Sequence, residues 1–90
     1  MSDWQVVVTP EAEDDLTRLD LQVLRRIEEK LRWFQKNFAH ITPFPLGEPW
    51  KGLFKWRIGD WRVVYEVNAE DSLVIIHRVA RRDKVYKTRR

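Results

Sequence analysis

The sequence predicts an α+β fold in the order β-α-α-β-β-β, and three observations carry that expectation. Apolar residues recur at intervals of three and four from Ala12 to Phe38, the mark of helices that each bury one stripe. From Gly52 onward the apolar period changes to two, as in strands with one buried face. Turn residues interrupt this second half at Gly59-Asp60 and at Asn68–Ser72, which divides it into three strands.

Gln5–Val8 is a short β-rich run that stops at Thr9-Pro10. Thr9 is a good N-cap and Pro10 a good first helical residue. Glu11, Glu13 and Asp14 then sit at the positive end of the helix dipole. Ala12, Leu16 and Leu19 continue at helical spacing, and Asp20 reads as the cap of a second helix. Along that helix Leu24, Ile27, Leu31, Phe34 and Phe38 form one apolar stripe, with Arg25, Arg26, Glu28, Glu29, Lys30 and Arg32 on the other side. Two antiparallel helices in a hairpin fit this pattern. Ala39–Trp50 holds Pro43, Pro45, Gly47 and Pro49 and reads as a loop. It is long for so short a chain, so it is either packed down by Phe44, Leu46 and Trp50 or functional. Leu53–Ile58 and Trp61–Val67 form a hairpin about Gly59-Asp60. Leu73–Ala80 is apolar on both faces in its first half, as a central strand is.

Ninety residues are expected to form one domain spanning 1–90. So short a chain must build a dense core, and 43% hydrophobic residues with five tryptophans supply it. There is no cysteine, which excludes disulfides and thiolate metal sites. No apolar run approaches the roughly 18 residues that span a bilayer, and the first residues are acidic where a signal peptide is basic. These features predict a cytoplasmic protein. Charge divides unevenly. Residues 1–50 carry six basic against nine acidic groups, and residues 51–90 eleven against five. The imbalance fits either a phosphate-facing side or a solubility bias.

Counting outward from the Gly59-Asp60 turn, Ile58 faces Trp61, Arg57 faces Arg62, Trp56 faces Val63, Lys55 faces Val64 and Phe54 faces Tyr65. One face then gathers the aromatic and aliphatic residues, and the other Lys55, Arg57 and Arg62. Like charges directly opposed across strands destabilise by up to about 1 kcal/mol. They fit a shared anionic ligand, or a solvated face with Arg57 turned towards Asp60 or Glu66. The last strand runs on into Arg78, Arg81, Arg82 and Lys84, followed by Tyr86. A phenol flanked by cations can stack on a base or accept a proton from a ribose 2′-OH. Equally, it can anchor the tail to the sheet edge. His40 and His77 are isolated and fit structural roles. Neither a Gly-rich phosphate loop nor a Ser or Cys nucleophile set is present, so any chemistry is expected to use Arg, Lys and Tyr without metal or cofactor.

The run Gly52-Leu-Phe-Lys-Trp-Arg-Ile-Gly-Asp-Trp-Arg-Val-Val-Tyr-Glu-Val67 resembles the RelE/ParE superfamily of toxins from type II toxin–antitoxin systems. So do Ile76-His-Arg-Val-Ala-Arg-Arg-Asp-Lys-Val-Tyr86 and the opening strand with its Thr-Pro-Glu-Ala helix start. The resemblance implies a curved, antiparallel-rich sheet packed against an N-terminal helical hairpin. Its RelE-like branch implies a ribosome-dependent endoribonuclease that cleaves mRNA in the A site, with a RelB-like antitoxin, mRNA and the ribosome as partners. It implies catalytic roles for Lys55, Arg62, Arg82 and Tyr86, and RNA or phosphate contacts for Lys51, Arg57, Arg78, Arg81 and Lys84. Leu53 departs from RelE, which carries a lysine two residues before the Lys55 position. Two other readings share the motifs: a ParE-like inhibitor of DNA gyrase without nuclease activity, and an RNA-binding member with weakened catalysis.

Overall fold

The structure is a computed structural model and describes residues 3–81. Both helix starts form as their caps dictate. The Thr9 hydroxyl accepts from the Ala12 N–H at 3.2 Å and opens α1 (Pro10–Thr17). The Asp20 carboxylate accepts from the Val23 N–H at 3.1 Å and opens α2 (Leu21–Asn37). Each satisfies a donor that the first helical turn leaves unpaired. A short 3₁₀ turn, Phe38–His40, continues α2 and buries Phe38.

The strands are β1 (Gln5–Val8), β2 (Phe44–Pro45), β3 (Phe54–Ile58), β4 (Trp61–Asn68) and β5 (Leu73–Arg81), in the spatial order β1-β5-β4-β3-β2. The expected α+β architecture is present, with two additions. The segment read as a loop contains β2, which pairs antiparallel with β3 through Phe44↔Lys55 and Pro45↔Phe54. Pro45 is tolerated there because β2 is an edge strand. In addition, β1 pairs parallel with β5, Gln5 opposite Leu73 and Val8 opposite Ile76, so the sheet is mixed. Flanked by β1 and β4, β5 is internal, as its doubly apolar first half predicts.

The β3–β4 register is the predicted one at all five pairs, from Phe54↔Tyr65 to Ile58↔Trp61. One face therefore packs on the helices around Phe34, which is fully buried. Its ring lies 4.2 Å from Trp56 in a stacked arrangement. It meets Phe38 at 5.3 Å and Tyr65 at 5.2 Å edge-on. Such geometries suit the aromatic quadrupole, and Phe34→Ala would cost about 3–5 kcal/mol.

Two details position the other face. Between β4 and β5 the register shifts at Val64/Tyr65, pairing Val64 with Arg78 and Tyr65 with Ile76, so His77 is bulged. Its carbonyl accepts from the Thr9 hydroxyl at 3.4 Å, and its ring pairs with Glu66 at 2.8 Å. Beyond β1, α1 takes over the edge of β5. Asp15 accepts from the Val79 N–H at 2.8 Å and grips Arg78 in a fork at 2.8 and 2.9 Å.

Candidate functional site

Strand alternation places Lys55 and Arg57 on the face away from the helices, with Arg62 directly opposite Arg57. The three differ in how they are held. Lys55 Nζ sits 4.7 Å over the ring of Phe44, its cross-strand neighbour on β2. Arg57 Nε donates to the Gly59 carbonyl at 3.1 Å, which fixes the side chain against its own turn. Neither Asp60 nor Glu66 forms an ion pair with it, and Glu66 is engaged by His77. Arg62 is 9% exposed, and its buried Nη1 has no hydrogen-bond partner among the described residues.

That last arrangement is costly. A buried polar group without a partner forfeits about 1–3 kcal/mol, and more when charged. Buried side-chain polar atoms usually find a partner. None of the three cations has an ion pair among the described residues. An anion entering between Arg57 and Arg62 would satisfy the orphaned N–H and relieve the repulsion together.

The entrance is a cavity of about 360 Å³ lined by Thr42, Phe44, Lys55, Arg57, Arg62 and Tyr65, among others. It draws on both faces because β2 covers only Phe54 and Lys55 and leaves the edge of β3 uncovered beyond them. Burial pushes the Tyr65 phenol up to about 12. It stays protonated at neutral pH and is a hydrogen-bond donor there, not a base.

Leu53 takes another role. It is 8% exposed and packs with Val64, Leu46, Trp50 and Ala80 in a second apolar cluster. Val64 and Ala80 are the cross-strand partners of Lys55 and Arg62, so this cluster supports the cationic surface from beside it. Lys51 lies exposed in the turn before Leu53.

Two expected phosphate-binding residues are placed differently. The Arg78 guanidinium is committed to Asp15 in a largely buried ion pair, and the carboxylate holds it above its usual pKa. Arg81 pairs with Trp61, a residue of the helix-side face, with its guanidinium 5.9 Å from that ring. Arg82, Lys84 and Tyr86 lie outside the described residues. The sequence reading missed Phe44 and Tyr65 as site residues. Phe44 had a signal in its exposed place before Pro45, whereas Tyr65 looked like core alone.

A mixed five-stranded sheet, a helical hairpin on one face and unpaired cations on the other define the α+β toxin fold that the resemblance implied. The chain belongs to the RelE/ParE superfamily of type II toxins. Residues 6–86 match the family described as ParE toxin of type II toxin–antitoxin system, parDE. Among solved structures, the chain is similar to the RelBE2 toxin–antitoxin complex of Mycobacterium tuberculosis, with 28% identity and a TM-score of 0.78 over 88% of this chain and 98% of that one. It also shares its fold with the isolated E. coli RelE toxin, at 20% identity, TM-score 0.70, and coverage of 93% and 92%. A chromosomal ParDE system from P. aeruginosa has the same fold, at 17% identity, TM-score 0.68, and coverage of 87% and 95%. No curated protein sequence matches the chain.

Proposed function

We propose that this toxin is a ribosome-dependent endoribonuclease that cleaves mRNA in the A site. The observation that carries the reading is the buried, unpartnered Nη1 of Arg62, a residue paired with Arg57 across the hairpin, which offers a donor to a phosphate oxygen. In the reaction the 2′-oxygen attacks the adjacent phosphorus as the bond to the 5′-oxygen breaks. The 2′-OH proton passes to a base and the departing 5′-oxygen takes up a proton, leaving a 2′,3′-cyclic phosphate and a 5′-OH. Arg62 and Lys55 neutralise charge that builds on the phosphoryl oxygens, while Arg57 and Lys51 hold neighbouring phosphates. Tyr65 donates within the site but cannot take the 2′-OH proton. That role goes to Tyr86 and the leaving-group role to Arg82, both by resemblance. The ribosome holds the mRNA for in-line attack, and such orientation is a large part of the catalysis of this chemistry.

The protein would act in the cytoplasm, where its substrate is. A RelB-like antitoxin would silence it, as the RelBE2 relative is found in a toxin–antitoxin complex. A second reading, gyrase inhibition without nuclease activity, is favoured by the ParE description of the matched family. Expression without antitoxin, with mapping of mRNA 5′ ends and a gyrase supercoiling assay, separates them. Codon-phased cuts that disappear in Arg62→Met, Arg82→Ala or Tyr86→Phe support cleavage. Intact mRNA with blocked supercoiling sinks it.

A further inference from the structure

On the helix side of the same hairpin, a second cavity of about 350 Å³ lies between α2 and the Gly59 turn. Its aromatic wall begins in the core. Phe34 stacks on Trp56 at 4.2 Å and 25°, and Trp56 on Trp33 at 6.3 Å and 12°. The series of near-parallel rings ends at Trp33, which is 51% exposed. A tryptophan left half in water at the end of a stack presents a flat apolar surface with no described ring above it.

The polar lining is wholly cationic: Arg26, Lys30 and Arg57, with no carboxylate among the described lining residues. Arg26 and Lys30 stand one turn apart on α2, and Trp33 follows three residues later, so the three share a face. The turn is shaped to admit Arg26. Gly59 has φ +59°, and a Cβ there would lie 2.8 Å from Arg26 Nη2. Arg57 also lines the first cavity, beside Arg62. The two cavities are thus joined by a shared cation at the uncovered edge of β3.

We infer that this cleft is a second subsite for single-stranded RNA, in which a base stacks on Trp33 while Arg26, Lys30 and Arg57 contact the flanking phosphates. The inference rests on the RNA reading above and extends it: the strand leaving the Arg62 cavity passes Arg57 and turns over the β3 edge onto the helix side. Charge complementarity selects a polyanion, and the open ring face selects one that carries bases. Stacking platforms flanked by cations bind single strands with little sequence preference. An acidic helix would also meet these cations, but its carboxylates bring no flat ring to stack on the half-exposed Trp33.

The test is a titration of the full chain with a short single-stranded oligoribonucleotide, and in parallel with inorganic polyphosphate, following tryptophan fluorescence. Trp33→Ala should weaken RNA binding by roughly 5- to 150-fold, the range for one stacked base, and leave polyphosphate affinity unchanged. Trp33→Phe should restore most of the loss and Trp33→Leu should not. Equal loss for RNA and polyphosphate, or equal rescue by Phe and Leu, would overturn the subsite. So would unchanged RNA binding in Trp33→Ala, or a Trp33→Ala defect confined to capture of the antitoxin. Arg62→Met keeps the two proposals apart. RNA binding that depends on Trp33 while Arg62→Met leaves cleavage intact removes Arg62 from catalysis, though not the nuclease activity itself, and keeps the subsite. Loss of cleavage in Arg62→Met with RNA binding indifferent to Trp33 does the reverse.

Discussion

Two guanidinium groups withdrawn from water on this sheet are in opposite situations. Arg78, at the seam between α1 and β5, has both arms of its fork on Asp15, whose carboxylate also takes the Val79 N–H. Arg62, on the open face of β4, is buried further and has an Nη1 with nothing described to bond. Both are arginines on neighbouring strands of one small sheet. The difference teaches that burial of a cation does not by itself mark a site. A cation whose anion comes from the same chain holds the fold together, whereas one with no anion among the described residues is a candidate for one from outside.

The largest effect expected is at the internal pair. Asp15→Asn leaves Arg78 buried without its counter-charge and should lower stability by about 3–5 kcal/mol in a denaturant titration. A loss below about 1 kcal/mol would mean that the pair is as dispensable as a surface ion pair, and the contrast would collapse.

Arg62→Met should do the opposite. Replacing an unsatisfied buried cation by an apolar side chain of similar length should leave stability unchanged or raise it. The same change should cut mRNA cleavage by about 10²- to 10³-fold, as expected for losing one preorganised donor to the transition state. Destabilisation like that of Asp15→Asn would make Arg62 a structural residue.

Tyr65 sharpens the comparison from the neutral side. Burial favours the protonated phenol in the folded state, so the fold binds that proton more tightly than the unfolded chain does. Stability from this source should be intact below pH 10 and should fall as the pH rises from 10 through about 12. The loss should be on the order of 3 kcal/mol, and Tyr65→Phe should flatten that part of the profile. An unchanged alkaline profile in Tyr65→Phe would show that the phenol reaches water.

The smallest effect concerns Phe44. Removing the ring beneath Lys55 in Phe44→Ala should weaken RNA binding only about 2- to 5-fold, the worth of an exposed cation–π contact of about 0.5–1 kcal/mol. Lys55→Ala should also reduce the salt dependence of single-strand binding by about 0.7 in the log–log slope. A larger loss in Phe44→Ala than in Lys55→Ala would mean that Phe44 itself touches the RNA.

The residues that act locally were legible in the sequence. Thr9 and Asp20 cap the helices they precede, and the Gly59-Asp60 turn fixes five strand pairs by counting alone. The cationic trio follows from that register. What could not be read depends on distant partners. Nothing near Val64 or Arg78 announces the bulge at His77, which arises where β1, β4 and the Thr9 hydroxyl meet β5. Arg78 looked like Arg62 because the acid that claims it lies 63 residues earlier. Leu53 looked like a lost lysine until Leu46 and Trp50 folded over it. Trp33, one position off the apolar stripe of α2, was not singled out either, because only the fold puts it beside Trp56 and the Gly59 turn.

The parallel pairing of β1 with β5 has a consequence for synthesis. Thr9 and His77 are 68 residues apart in the chain, so β1 has no strand to dock on until β5 has left the ribosome. The β3–β4 hairpin, by contrast, closes over two residues and can form early. A folding chain would therefore form its cationic face before it has the seam that secures it. Contacts of such long range are slow to close, so the seam that joins β1 and α1 to β5 is expected to be the last part of the fold to form.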